Sequence, residues 1–245
     1  MRTIFIADAH LAHPEDLNYR LLLAFLEQIR GTVSELCILG DLFDFWVGLP
    51  GMPLPDYQPV IEALEKLAAE GVRLTYFEGN HDFQLGPVFR KRLKADVFEG
   101  PAIRDIQGKR LLICHGDQLN PHDQGYIRLR KILRSLPVRL LIRICPAPLA
   151  MFIKEHLQKR SRRGYRSHQA RWDRRSIIRD FARQQANSGI DGMVCGHFHL
   201  PFHEQLDDQG FTILSLGDWI SQFSYGEMSG GRLKLHTFSP DRLNS

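Results

Sequence analysis

The chain is poor in cysteine. Cys37, Cys114, Cys145 and Cys195 are the four in 245 residues, widely spaced and without a C-x-x-C pair. That pattern argues against a disulfide framework, a zinc ribbon or a dithiol redox centre. Three of the four lie inside apolar runs, where a buried free thiol is the ordinary state, and a reducing, cytosolic setting fits best. No stretch of about 20 apolar residues occurs, which argues against a spanning helix. The amino terminus enters a strand-like run directly, without the charged-then-apolar layout of a secretory signal. Repeats and low-complexity segments are also lacking. What remains is an ordinary soluble composition, 43% apolar and 24% charged, long enough to bury one core and carry an inserted subdomain.

Charge of one sign is scarce in places. Between Pro121 and Asn187 there are 17 Lys and Arg against only four acids, a balance of +13 that leaves −9 for the rest of a +4 chain. An acidic body with a basic insert suggests that the acids hold cations while the insert meets an anion.

The first 120 residues alternate strand and helix. Apolar runs at Thr3–Ile6, Leu36–Leu39, Val72–Phe77, Ala95–Phe98 and Arg110–Cys114 read as strands. Asp16–Arg30 reads as a helix with Leu17, Leu21, Leu22, Phe25, Leu26 and Ile29 on one face, ended by Gly31. A second helix is expected over Val60–Glu70 and a basic helical stretch around Phe89–Leu93. Gln107-Gly108-Lys109-Arg110 suits a tight hairpin between strands around Ile103 and Arg110–Cys114. From Pro121 strand signals stop, and helical, Arg-rich sequence runs to about Asn187. They return at Ile190, followed by strands at Phe202–Leu206, Phe211–Leu216 and Arg232–Phe238. The layout is therefore an α/β body over 1–120 and 188–245, with a helical, basic and apolar insertion over 121–187.

Five short patches carry metal-type ligands, and an apolar run ends just before each. They are Asp8-Ala9-His10, Gly40-Asp41-Leu42-Phe43-Asp44, Gly79-Asn80-His81-Asp82, His115-Gly116-Asp117 and Gly196-His197-Phe198-His199. Each alone fits a polar turn. Together, at strand ends where α/β proteins bind ligands, they predict a site for two metal ions. A carboxylate such as Asp41 can bridge two cations, Asn80 offers a neutral oxygen, and the histidines offer imidazole nitrogen. His197 and His199, two apart, share a face if that segment is extended.

In this order the patches resemble the signature of the calcineurin-like metallophosphoesterases, over almost the whole chain. The resemblance implies a sandwich of two β-sheets flanked by helices, with the insertion as a cap. It implies one metal on Asp8, His10, Asp41 and His199, and another on Asp41, Asn80, His115 and His197. Manganese is the expected ion, with iron or zinc as alternatives. His81 is placed to contact the phosphoryl group or protonate the leaving oxygen, and Asp82 to orient His81 or the local turn.

More local features are similar to the UDP-2,3-diacylglucosamine pyrophosphatases of lipid A biosynthesis. These are Phe5–Leu11, Leu39–Trp46 and His115-Gly116-Asp117-Gln118-Leu119 followed by Asp123-x-Gly125-Tyr126. The resemblance implies hydrolysis of a UDP-diacylglucosamine lipid to UMP and a sugar 1-phosphate. Substrate contacts would come from Asn80, His81, Asp123, Tyr126, Ser161, Tyr165, His168 and His197. A peripheral place on the cytoplasmic face of the inner membrane is implied as well, with no obligate protein partner. Apolar residues beside arginines at 137–144 and 149–153 suit acyl chains and an anionic bilayer; packing of the insertion onto the body is the plainer alternative. The basic run 159–166 could contact the diphosphate. The chain departs from that group at three positions: His81 stands where arginine is common, and Tyr165 and His168 where asparagine and lysine are expected. Another lipid-linked or nucleotide diphosphate is thus an alternative substrate. A nuclease reading has less support, since aromatics for base stacking are sparse in the insertion.

Overall fold

A computed structural model describes residues 2–49, 54–86, 88–146, 172–186, 188–206 and 210–239. Strand runs that are apolar on every residue belong where both faces are covered, and the fold places them there. One six-stranded sheet has the order β13-β12-β1-β2-β4-β6, and a five-stranded sheet the order β10-β11-β9-β8-β7. The first contains β1 (Arg2–Ile6), β2 (Glu35–Ile38), β4 (Arg73–Phe77), β6 (Asp96–Phe98), β12 (Ser224–Ser229) and β13 (Arg232–Thr237). The second contains β7 (Ala102–Ile106), β8 (Lys109–Cys114), β9 (Gly192–Cys195), β10 (Phe202–Gln205) and β11 (Thr212–Ser215). A short pair, β3 (Trp46–Val47) with β5 (Asp82–Phe83), lies apart.

The two-residue period of a strand sorts these side chains into layers. Phe5, Cys37, Leu39 and Phe77 meet Leu111, Ile113, Val194 and Leu214 between the sheets. Their neighbours Ile4, Ile6, Leu36, Ile38, Leu74 and Tyr76 face the other way, into a cluster with the helices α1 (Leu17–Ile29) and α2 (Gln58–Ala69). Leu112, Cys114, Met193 and Cys195 face outward from the second sheet onto α5 (Arg174–Ala186), whose Ile178 and Ala182 are fully buried there. The result is the two-sheet sandwich flanked by helices. The last helix of the segment 121–187 thus belongs to the body's own packing, because its apolar stripe has the second sheet as partner.

Cys37, Cys114 and Cys195 are buried and free, and burial lifts the thiols of Cys37 and Cys114 well above their ordinary range. They are inert core residues. In α1, Leu17 stays 54% exposed. Tyr19 is buried instead, its hydroxyl donating to the Asp56 carbonyl at 2.6 Å. The hairpin between β7 and β8 turns on Gln107 and Gly108, both with positive φ, as a two-residue turn matched to strand twist requires. The basic stretch near Phe89 forms a π-helical turn, Val88–Arg92.

The start of the insertion is a helical hairpin of α3 (Gln124–Leu133) and α4 (Leu136–Arg143). Leu133, Ile142 and Cys145 pack on Phe45, Val47, Leu49 and Phe83 of the body. Leu129, Ile132, Leu136, Leu140, Leu141 and Ile144 are exposed. Much of the charge asymmetry is spent across this junction. Arg130 pairs with Asp117, Arg134 with Glu78 and Arg139 with Glu99, while Arg175 and Arg179 hold Glu204. Among the described residues no helix is long and apolar enough to cross a membrane.

Candidate active site

Three of the five patches leave their strands through strained backbone. Asp8, His10, Asp41, His197 and His199 all have positive φ, between 45° and 68°. Left-handed conformations cost a non-glycine residue about 1–3 kcal/mol and persist where surrounding structure over-determines them. Here the strain aims side chains at one point beyond the strand ends. Two glycines permit the close approach. A Cβ on Gly79 would lie 2.0 Å from Asp41 Oδ1, and one on Gly196 would lie 2.7 Å from Asp8 Oδ2.

The convergent atoms form two sets that share Asp41. In the first, Asp8 Oδ1 lies 4.0 Å from His10 Nε2 and 3.5 Å from His199 Nε2. In the second, His115 Nε2 lies 3.0 Å from Asn80 Oδ1 and 3.3 Å from His197 Nδ1. Asp41 Oδ2 stands between them, 3.7 Å from His10 Nε2 and 3.5 Å from His115 Nε2. Candidate ligand atoms within 4.8 Å of one another group as Asp8, His10, His199 and as Asp41, His115, His197. A third group, His10, Asp44 and His81, adjoins the first.

Two observations show that a cation fits this arrangement. Asp8 Oδ1 and His10 Nε2 are buried with no hydrogen-bond partner among the described residues, a costly state unless something else satisfies them. His115 commits Nδ1–H to the Leu39 carbonyl at 2.7 Å. Its Nε2 in the neutral ring is then an acceptor, facing the acceptor Asn80 Oδ1. A proton or a metal ion resolves that clash.

The protonation tendencies agree. Burial lowers His10 to about 3 and His197 to about 4, with neighbouring histidines adding to it, so both keep free lone pairs. Burial would lower His115 too, but Asp41, Asp8 and Asp117 outweigh it and raise it to about 9. Burial raises Asp8 to about 6. It works against Asp41 as well, yet His115, His81 and His10 hold that carboxyl below the usual range. The site demands positive charge at its centre.

Asp82 is the hub beneath it. Its buried carboxylate accepts from the backbone N–H of Asp41 (2.9 Å), Gly79 (3.1 Å) and Phe43 (3.2 Å), and from the Tyr76 hydroxyl. Burial and then the charge of Asp41 raise it to about 7. One side chain thereby ties the Asp41 loop to the Asn80 loop. His81 stands above, its Nδ1 3.0 Å from the Asp44 carbonyl and its ring 4.7 Å from that of His10.

The sequence matches the calcineurin-like phosphoesterase family over residues 1–201. The chain belongs to that family. It is 32% identical over 248 residues to UDP-2,3-diacylglucosamine hydrolase of Aeromonas salmonicida, covering 100% of this chain and 96% of the relative. The protein of that name from Photorhabdus laumondii is also 32% identical, over 97% of this chain and 99% of the relative. Among solved structures, an archaeal phosphodiesterase superposes with a TM-score of 0.51 at 13% identity, over 97% of this chain and 100% of that one. This last likeness speaks for the fold. The chain is a hydrolase of the metallophosphoesterase type, which uses divalent metal, and it carries groups suited to hold it.

In this phosphoesterase the remaining sequence candidates lie further out. Asp123 caps α3, accepting from the Tyr126 N–H at 3.0 Å. The Tyr126 hydroxyl donates to Asp117, which also accepts from Arg130 Nε at 2.8 Å. Ser161, Tyr165 and His168, with the runs 149–153 and 159–166, lie outside the described residues. Asp218 was not evident from sequence. Its Oδ2 lies 3.3 Å from His199 Nδ1, and its Oδ1 accepts from the N–H groups of Ile220, Ser221 and Gln222. Against its burial, His199 and then the Ser221 and Gln222 amides hold the Asp218 carboxyl down at about 2. A carboxylate on the far nitrogen of an imidazole fixes its tautomer and aims the other nitrogen. The only hint was Gly217-Asp218-Trp219 following an apolar strand.

Proposed function

We propose that this hydrolase cleaves the pyrophosphate bond of UDP-2,3-diacylglucosamine to UMP and 2,3-diacylglucosamine 1-phosphate. The observation that carries the proposal is end-to-end similarity to relatives bearing that enzyme's name, in a chain whose ligand patches converge. In this reading Asp8, His10, Asp41 and His199 hold one divalent ion, and Asp41, Asn80, His115 and His197 the other. The donor set is imidazole, carboxylate and amide oxygen without thiolate, which suits manganese, with iron or zinc as alternatives. Bound there, two such ions supply an activated water and electrostatic stabilisation of the phosphoryl oxygens.

The chain's own groups do the rest. His81 with Nδ1–H anchored on the Asp44 carbonyl presents Nε2, which when protonated donates to the phosphoryl group or the leaving oxygen. Asp82 keeps the loops on either side in register, so that His81 and Asp41 hold their spacing. Substrate contacts are assigned to Asn80, His81 and His197 at the site, and to Asp123, Tyr126, Ser161, Tyr165 and His168 toward the insertion.

With Mn2+ present, the purified protein is expected to release UMP from UDP-2,3-diacylglucosamine, read by mass spectrometry. Cleavage of single-stranded DNA with no UMP released would overturn the substrate assignment.

We further place the protein on the cytoplasmic face of the inner membrane, with α3 and α4 against the bilayer. Supporting this are Leu136, Leu140, Leu141 and Ile144, which are 69%, 52%, 62% and 76% exposed. Apolar side chains flanked by arginine favour an anionic interface. Replacing these four by serine is expected to reduce co-sedimentation with phosphatidylglycerol-containing vesicles severalfold. Unchanged binding would refute the assignment.

A further inference from the structure

The insertion does more than border the site: its cations are hydrogen-bonded to the loops that carry the ligands. Arg134, at the end of α3, reaches back so that Nη2 donates to the Gly79 carbonyl at 3.0 Å. Its Nη1 pairs with the buried Glu78 carboxylate, and its guanidinium lies 5.3 Å above the Phe83 ring. Gly79 directly precedes Asn80 and His81. From the start of α5, the helix packed on the second sheet, Arg174 Nη1 donates to the Phe198 carbonyl at 2.7 Å. Phe198 is the residue between His197 and His199. The two arginines, forty residues apart in sequence, grip ligand loops that leave different sheets.

We infer that Arg134 and Arg174 are positioning residues that make the geometry of the metal-binding loops depend on the segment 121–187, one loop on its α3–α4 hairpin and the other on its body-packed helix α5. A carbonyl held by a guanidinium fixes the orientation of its peptide plane, and with it the φ of the next residue. For Gly79 that next residue is Asn80. The Gly79 N–H is held as well, by the Asp82 carboxylate at 3.1 Å and the Asp82 carbonyl at 3.1 Å. Asp82 thus restrains the Glu78–Gly79 peptide and Arg134 the Gly79–Asn80 peptide that follows it, the one that aims Asn80 Oδ1 at His115. Glu78 keeps the buried guanidinium neutralised, without which its burial would be costly. At the other loop, Arg174 holds a segment in which His197 and His199 both carry positive φ, where an external restraint is needed to keep two strained residues in place. Movement of the α3–α4 hairpin when substrate binds would reach Asn80 through the Arg134 bond. The inference rests on the metallophosphoesterase reading of the site, but not on the identity of the lipid substrate.

The test uses the full chain and two substrates, the diacyl UDP-sugar and the small bis(p-nitrophenyl) phosphate, which carries no lipid for the insertion to hold. Mn2+ affinity is measured separately by competition with a chelating dye, which needs no turnover. Arg134→Met and Arg174→Met are each expected to weaken Mn2+ binding by about 10–100-fold. Each should also lower kcat on the aryl phosphodiester by about tenfold, with little change in KM. Arg134→Lys should recover part of both, since an ammonium can donate to one carbonyl but cannot span Glu78 and Gly79. Arg175→Met, next to Arg174 on α5 but paired with Glu204, should leave both unchanged. Full Mn2+ affinity and full aryl phosphodiester turnover in both Met variants, with losses confined to the diacyl UDP-sugar, would overturn the inference. Thermal melting identifies any variant that fails to fold; for such a case Arg134→Lys, with hydrogen exchange at residues 79–82, is decisive. Faster exchange there with weaker Mn2+ binding supports the clamp, and unchanged values of both refute it. Failure of the lipid reading would appear independently, as wild-type protein that binds Mn2+ but leaves the diacyl UDP-sugar intact.

Discussion

Asp41→Asn is expected to lower kcat by roughly 1,000-fold while leaving the protein folded. Asp41 Oδ2 is the atom common to both convergent sets, 3.7 Å from His10 Nε2 and 3.5 Å from His115 Nε2. Its Oδ1 accepts from the His81 N–H at 2.8 Å. Asparagine keeps the shape and can keep that second bond, so the loop that carries His81 stays in place. It removes the negative charge that offsets two cations. Loss of several kcal/mol of metal-based transition-state stabilisation, at about 1.4 kcal/mol per tenfold, gives the stated factor. Metal content by mass spectrometry should fall in parallel. Near-normal turnover with full metal content would show that Asp41 bridges nothing.

Asp82→Ala acts on stability instead. The carboxylate is fully buried, and three backbone N–H groups and a tyrosine hydroxyl depend on it. A buried donor left without acceptor costs about 1–3 kcal/mol, and some relief comes from water entering the gap. A loss of about 3–5 kcal/mol is expected, read as a lower midpoint in urea with an unchanged slope. The Asp41 and Asn80 loops would separate, so activity should fall with stability. Asp82→Asn keeps one acceptor oxygen and should lose less than half as much. A midpoint shift equivalent to under about 1 kcal/mol in the alanine variant would reject the hub assignment.

The strands were legible because a chain covered on both faces must be apolar at consecutive positions. Leu111–Cys114 and Met193–Cys195 are such runs. β12 was missed for the opposite reason. Its sequence, Ser-Tyr-Gly-Glu-Met-Ser, carries little strand signal, yet it lies between β1 and β13. Small residues are required there: a Cβ on Gly226 would come within 2.7 Å of Leu214 Cδ2. The short β3–β5 pair was missed as well, since two residues are too few for a period. Leu17 was placed on the buried face by spacing alone, and Tyr19 took the inward position because its hydroxyl finds a carbonyl.

The ligand patches were legible because each follows a strand and each needs a residue type with few other uses at that place. Their partners were not. Asp82 stood beside His81 in sequence and suggested a role in the local turn; its carboxylate does accept from the Gly79 N–H there, and it also ties that turn to the Asp41 loop some forty positions away. Asp218, Arg134 and Arg174 looked like ordinary loop and surface residues. Hydrogen bonds to backbone carbonyls and distant imidazoles leave no periodic trace.

By itself, the sequence determined the reaction class. Seven ligand-type residues at strand ends leave little else for the chain to do, and the composition excludes most rival chemistries. It also determined that a basic segment must meet negative charge. Only the tertiary structure decided where that charge lies: a large part of it is on the body, in Asp117, Glu78, Glu99 and Glu204. The structure likewise decided that Asp8, His10, Asp41 and Asn80 come from one sheet and His115, His197 and His199 from the other. Strand order is set by packing between layers, which no local pattern encodes. The site therefore exists only where the carboxyl ends of interior strands from the two sheets meet.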